Sequence, residues 1–496
     1  MEEEAYAVAS DSSQRLQSDG GYRDAPFALA FLVHLLLVVF FGFTEGVPVL
    51  HGGGDGGSDG GSGDGGGGEQ AQYLGGLLLV CVMSPIVCCI FAFTYVGYIK
   101  NNAESMVECL VTSHILIMLA AVTFCVSSGA STPAALFLLF AAIEVCWYLS
   151  IRHRIPFMAA HLACACEAVQ TYPEMVWYSV GMIVPQVLWV ISWCLCVITV
   201  YARATAKSCA YYGMIDDPAD STRCCEPAAN QTFTQEDCEP KDASSAVYFA
   251  LLISLYWGAQ VVANVVHTTC CGATGSWWFQ SYDSNAVNAS FRRAMTTSFG
   301  SICLGSLVVA ALKTVEYLLR ETKENACLAC VLSCVRSLIE YFNRFAYVYV
   351  ALYGFDFRRA GSAVFGLFRS SGWTVVIHDD LLGIVLLFGA LACGVVGAVI
   401  GVGVGSAFED DSLSTAVIYA FVGLLTGLFA AQQVFCVLDS AFATVLVAWA
   451  EEPAALRASN PSLYLRLYEA WNTHQHDLFE TAKSRYPEKY TIPNGV

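Results

Sequence analysis

The chain has 496 residues, 56% of them hydrophobic and only 13% charged, with a mean hydropathy of +0.55. A water-soluble globule does not have that balance, so the composition implies a polytopic membrane protein. A net charge of −18 with only 24 Lys and Arg excludes a phosphate-binding surface and hence a nucleic-acid partner, and puts the excess acid in loops and tails.

The N-terminal stretch MEEEAYAVASDSSQRLQSDGGYRD is acidic where a secretory leader is positive, so no cleaved signal is expected and the first apolar run, 27–43, stays as a membrane helix. The loop at 44–72 is centred on HGGGDGGSDGGSGDGGGGEQ and holds no Lys or Arg. The positive-inside rule sets it outside as a flexible tether and leaves the N-terminus in the cytosol. Spans at 73–99 and 107–126 are expected to turn in the cytosol at Lys100, and a span at 133–151 ends on Arg152, His153 and Arg154. Residues 155–175 read as a short amphipathic helix on the inner surface, followed by a span at 176–201 kinked by Pro185.

The polar loop 202–243 is expected outside. It carries Cys209, Cys224, Cys225 and Cys238 beside a sequon at Asn230, the pattern of an oxidising, glycosylated loop with candidate disulfides. Most of the 22 cysteines lie instead in apolar runs, as Cys81, Cys88, Cys89 and Cys125 do, where they behave as small hydrophobes. Further spans fall at 244–270, 297–319, 381–405 and 415–449. The run 327–354 brings Arg336, Glu340 and Arg344 onto one helical face. If it spans, that face must be buried in the bundle and the chain crosses ten times; if it lies at the surface, the segment at 244–270 must return to the outside as a re-entrant element, leaving eight crossings.

The fold class expected is therefore all-α, a membrane bundle of about ten helices over 27–449, with 320–376 a partly cytosolic amphipathic region. Acidic residues 1–26 and polar residues 450–496 form cytosolic tails. The glycines of GVVGAVIGVGVG sit in an uncharged helix with no preceding strand, so they read as helix-packing positions and not as a nucleotide loop. There is no HExxH, Walker loop or nucleophile elbow, so neither an enzyme nor a cofactor is expected. Cys327, Cys330 and Cys334 lack a second ligand pair, and no metal site is expected.

The informative residues are the few ionisable ones at membrane depth. Glu144 shares a helical face with Trp147, and Asp439 sits midway along the last span. Each needs a partner such as Lys313, a cavity or a bound cation, because an unpaired carboxylate there costs a few kcal/mol. Polar and aromatic residues also interrupt the apolar run SLYWGAQVVANVVHTTCCGATGSWWF, namely Tyr256, Trp257, Gln260 and Asn264.

That run, followed by SFGSICLGSLVVAALK, CLACVLSCVRSLIEYFNRFAYVYVALYGFDF and QQVFCVLDSAFATVLVAWAEEP, resembles the choline transporter-like family of solute carriers over about residues 73–455. The matching positions are Tyr256, Trp257, Asn264, Gly300, Ser301, Gly305, Ser306, Asn343, Tyr347, Gly354 and Asp439. The resemblance implies a plasma-membrane carrier of choline, ethanolamine or a related small organic cation, embedded in the lipid bilayer and working by alternating access. A quaternary ammonium has no N–H, so aromatic faces and a carboxylate must hold it, at roughly 0.5–2 kcal/mol per cation–π contact. The expected substrate contacts are Trp257 with Glu144, then Trp147, Tyr256, Tyr347 and Asp439, with Asn264 or Gln260 for a hydroxyl. A channel, a lipid-translocating protein and a non-transporting scaffold are the alternatives.

Overall fold

Apolar runs crossing hydrocarbon must satisfy every backbone N–H and C=O internally, which favours helices. The computed structural model describes residues 21–47, 66–152, 155–211, 245–279, 283–321, 326–371, 381–408, 413–474, 476–485 and 487–490, and among these it is helical with no strand. The helices are α1 (Ala25–Phe41), α2 (Gly66–Ser127), α3 (Ser131–Ile151), α4 (Ile155–Thr171), α5 (Glu174–Gly181), α6 (Ile183–Tyr211), α7 (Ser245–Phe279) and α8 (Ala286–Met295). They continue with α9 (Phe299–Glu321), α10 (Ala326–Tyr353), α11 (Phe357–Ser371), α12 (Leu381–Phe408), α13 (Leu413–Glu451), α14 (Pro453–Ser459), α15 (Pro461–His474) and α16 (His476–Arg485). Asn230, Cys224, Cys225 and Cys238 lie outside the described residues, and Cys209 falls near the end of α6.

Among the described residues eight helices are long and apolar enough to cross a bilayer. Two differences separate that from the expected ten or so. The first is a correction: no turn occurs at Lys100, and the two expected spans form one helix of 62 residues, α2, about 93 Å long at 1.5 Å per residue. The linking residues NNAESMV contain no Gly or Pro, and Asn102 Nδ2 donates back to the Tyr98 carbonyl (3.0 Å), so nothing there breaks the helix. The second is α10, of spanning length but carrying Arg336, Glu340 and Arg344, and so not among the eight.

Helices α12 and α13 form the closest pair. A Cβ at Gly397 would fall 2.1 Å from the Gly423 carbonyl oxygen, and one at Gly401 2.1 Å from that of Tyr419, so the glycines let the two backbones touch. Helix α2 packs along this pair through buried Cys88, whose thiol faces the Cys393 carbonyl (3.2 Å), and Tyr95, whose hydroxyl donates to Val385 (2.8 Å). Beyond about residue 111, α2 leaves the core, and it forms with α3 a hairpin whose outer surface is apolar and exposed.

Helix α4 is not a surface helix. Thirteen of its 17 residues are buried, because IPFMAAHLACACEAV is apolar nearly all round and is enclosed by α2, α13 and α15. The expected soluble tail supplies part of that cover: Tyr464, Leu467, Trp471 and Phe479 are buried, and Trp471 Nε1 donates to His161 Nε2 (3.1 Å). His161 Nδ1 then donates to the Phe157 carbonyl (2.9 Å), and full burial drives the imidazole pKa down to about 4.

A break at Met182 divides the span at 174–200 into α5 and α6. Pro185 causes it, since its ring cannot donate and crowds the carbonyl four residues earlier, that of Gly181.

Candidate functional site

Polar side chains at membrane depth are expensive, so they converge where they can satisfy one another. They do so around a cavity of about 740 Å³ bounded by the α5–α6 break, α7, α9, α10 and α13. Met182 and Ile183 line it at the break, Ala259, Gln260, Asn264 and His267 from α7, and Lys313 from α9. Helix α10 contributes Glu340, Asn343, Arg344 and Tyr347, and α13 contributes Phe429, Gln432, Gln433, Asp439 and Ser440.

The spacing within each helix explains the assembly. Gln260, Asn264 and His267 recur at four and three residues, and Glu340, Arg344 and Tyr347 do the same, so each set makes a single stripe. Arg344 Nη2 reaches Asp439 Oδ1 at 2.6 Å and the Asp439 carbonyl at 3.0 Å, tying α10 to α13. Lys313 Nζ pairs with Glu340 Oε1 at 3.1 Å, tying α9 to α10. From Glu340 the charges run outward through Arg336 (2.8 Å) to Glu316 (2.5 Å) and Arg320 (2.8 Å). Asn264 Nδ2 donates to Ser306 Oγ (2.9 Å) and Tyr347 Oη (3.3 Å), while His267 lies between Ser440 Oγ (2.8 Å) and the Arg344 carbonyl (2.9 Å). Arg344 Nε is buried and has no hydrogen-bond partner among the described residues.

The motif residues around the cavity act mainly as joints. Ser301 Oγ donates to Asp24 Oδ2 (2.6 Å), which also accepts from the Phe357 N–H (2.9 Å), and Arg23 Nε donates to the Gly354 carbonyl (3.1 Å). The chain before α1 thereby clamps the start of α9 to the α10–α11 turn. Gly305 leaves room for Tyr347 Oη, 2.4 Å from where a Cβ would be.

Of the expected substrate contacts, Gln260, Asn264, Tyr347 and Asp439 line this cavity. Trp257, Tyr256, Glu144 and Trp147 do not line it. Trp257 Nε1 is committed to the Cys303 carbonyl (2.9 Å), and its ring stacks on His34 (5.1 Å between centroids) and meets Phe31 edge-on, with Tyr256 packed beside the same cluster. Glu144 lies on the peripheral hairpin, where His114 Nδ1 is 2.7 Å away, and Trp147 is 39% exposed. Trp257 and Glu144 therefore do not form one site, and Lys313 pairs with Glu340 and with neither Glu144 nor Asp439. Trp189 and Trp193 spend their ring N–H groups on the Leu255 and Leu251 carbonyls. Tyr347 and Phe429 are the aromatic residues at the wall. Sequence reading passed over Gln432, Gln433 and His267; adjacent amides in the middle of an apolar span were the available signal.

A sequence model of the family described as plasma-membrane choline transporter matches residues 135–454, more than half of the chain. A CTL-like protein of Dictyostelium discoideum is 25% identical over 411 residues, covering 80% of this chain and 67% of that protein. Protein PNS1 of Neurospora crassa is 25% identical over 418 residues, covering 80% and 71%, and Protein PNS1 of Mycosarcoma maydis is 25% identical over 513 residues, covering 96% and 85%.

Proposed function

This chain belongs to the choline transporter-like family, and we propose that it carries choline or a related small organic cation across a membrane by alternating access, with the cavity between α7, α9, α10 and α13 as its solute site. One observation carries the choice of site: paired charges and several amides lining one cavity, a costly arrangement that a lipid-embedded bundle keeps for a polar cargo. The helix break at Met182, on the cavity wall, supports a rocking mechanism, since carriers place discontinuous helices at their solute sites. The setting is a multi-pass protein of the plasma membrane with both termini cytosolic and Asn230 glycosylated outside; no catalytic role is assigned.

The test is labelled choline uptake in cells lacking their own choline carrier. Saturable uptake, competed by unlabelled choline and lost in Asp439→Asn at equal surface expression, supports the reading. Electrical current or lipid movement without saturable uptake would replace it with a channel or a lipid-translocating protein.

A further inference from the structure

The charge inventory of the cavity says more about the solute, on the reading that the chain carries a small ammonium compound. Two acidic and two strongly basic side chains reach the cavity, and they pair off, Arg344 with Asp439 at 2.6 Å and Lys313 with Glu340 at 3.1 Å, while the His267 ring is held between Ser440 Oγ (2.8 Å) and the Arg344 carbonyl (2.9 Å). The site is balanced before anything binds. A solute with a single positive charge upsets that balance, and an uncompensated charge at bilayer depth costs about 2.5–3.5 kcal/mol on insertion scales. It must also take Asp439 from a guanidinium and leave that guanidinium stranded.

Arg344 gives the second sign. Its Nε is a buried donor without a hydrogen-bond partner among the described residues, on a side chain that lines the cavity. A buried donor left unmet costs about 1–3 kcal/mol, which an acceptor on the solute would recover. The wall also lacks an aromatic cage for a trimethylammonium head, since Tyr347 and Phe429 are its aromatic rings and Trp257 is spent elsewhere.

We propose that the solute is a zwitterion, an ammonium compound that also bears one anionic group. The ammonium takes Asp439, and the carboxylate or phosphate takes the guanidinium that Asp439 releases, which can then turn to bring its buried Nε to the anion. Two internal ion pairs become three pairs with charge neutrality kept throughout, so loading the cavity leaves no ion alone. Arg344 is then the specificity-determining residue: it separates an ammonium alcohol from its carboxylate counterpart.

The experiment compares uptake of labelled choline and labelled glycine betaine, which differ in alcohol against carboxylate, in the same carrier-deficient cells, with phosphocholine as a competitor. The expected result is a KM for glycine betaine at least tenfold below that for choline. Competition by phosphocholine identifies any small anion as sufficient, and its absence restricts the anion to a carboxylate; the proposal predicts one or the other alongside the betaine preference. Arg344→Gln should erase the preference, bringing the two KM values within about threefold. Arg344→Lys, which keeps the charge but loses the planar fork, should retain part of it and carries the test if the Gln variant fails to reach the surface. Choline transported as well as or better than betaine, or a preference that survives loss of the guanidinium, overturns the zwitterion assignment and leaves the carrier reading standing. Uptake of neither solute, with surface expression verified, overturns both.

Discussion

Asp439 and Glu144 look alike in sequence, each a lone carboxylate in an apolar helix beside aromatic residues, yet they occupy opposite kinds of surroundings. Asp439 is held by Arg344 across a cavity where five helical segments converge. Glu144 is met by His114 inside a two-helix hairpin whose outer face is exposed and apolar. The difference lies in what the partner connects. Arg344–Asp439 joins two helices of the cavity wall, whereas His114–Glu144 only staples α2 to α3. Membrane depth alone therefore marks a carboxylate as needing a partner, and the helices that the partner joins decide whether it can act on a solute.

The largest effect that would break this contrast is on uptake. Asp439→Asn strands the Arg344 guanidinium and should lower choline uptake at least tenfold, while Glu144→Gln should change it less than twofold, both read at equal surface expression. The reverse ranking would move the site to the hairpin. Acidification separates the well-packed core from that hairpin next. Burial holds the folded pKa of His161 at about 4, below the 6.5 of an unperturbed imidazole, so the unfolded chain binds a proton between those values that the folded chain does not. Stability is therefore complete above pH 6.5 and falls as pH drops towards 4, by about 1.4 kcal/mol per unit and about 3 kcal/mol in all. Thermal unfolding of the purified protein should shift down between pH 7 and pH 5, and His161→Gln should flatten that shift.

Smaller effects sharpen the picture of packing. Gly423→Ala pushes a Cβ to 2.1 Å from the Gly397 carbonyl oxygen and should cost roughly 1–3 kcal/mol, seen as reduced expression and a lower Tm. Gly403→Ala, with nothing within 4 Å, should be silent in the same helix pair. Least of all, Leu139→Ala on the outer face of α3, 56% exposed, should change stability by under about 0.5 kcal/mol.

Much of the architecture was legible in the sequence, because hydrocarbon length and the scarcity of charge admit few readings. The all-helical class, the packing role of the α12 glycines and the polar stripe of Gln260 and Asn264 needed only composition and periodicity. The continuity of α2 was not legible, since residues that favour a cytosolic turn, Asn101, Asn102 and Glu104, are also tolerated within a helix. Nor was the docking of α15, because amphipathic tails look alike whether or not a buried partner such as His161 awaits them. For the site, periodicity put Arg336, Glu340 and Arg344 on one face, but no local rule says which neighbour that face meets. Trp257 misled for the same reason: an aromatic residue beside a polar stripe promises a cation cage, and only the backbone carbonyl of Cys303 shows the indole to be engaged.

The central claim, that the Arg344–Asp439 cavity is a solute site, is tested most directly by labelled choline uptake in carrier-deficient cells expressing wild-type, Asp439→Asn or Glu144→Gln protein at matched surface levels. Saturable uptake in the wild type and in Glu144→Gln, with loss in Asp439→Asn, is the result predicted. Uptake that survives in Asp439→Asn, or a wild type that takes up neither choline nor glycine betaine, would contradict it.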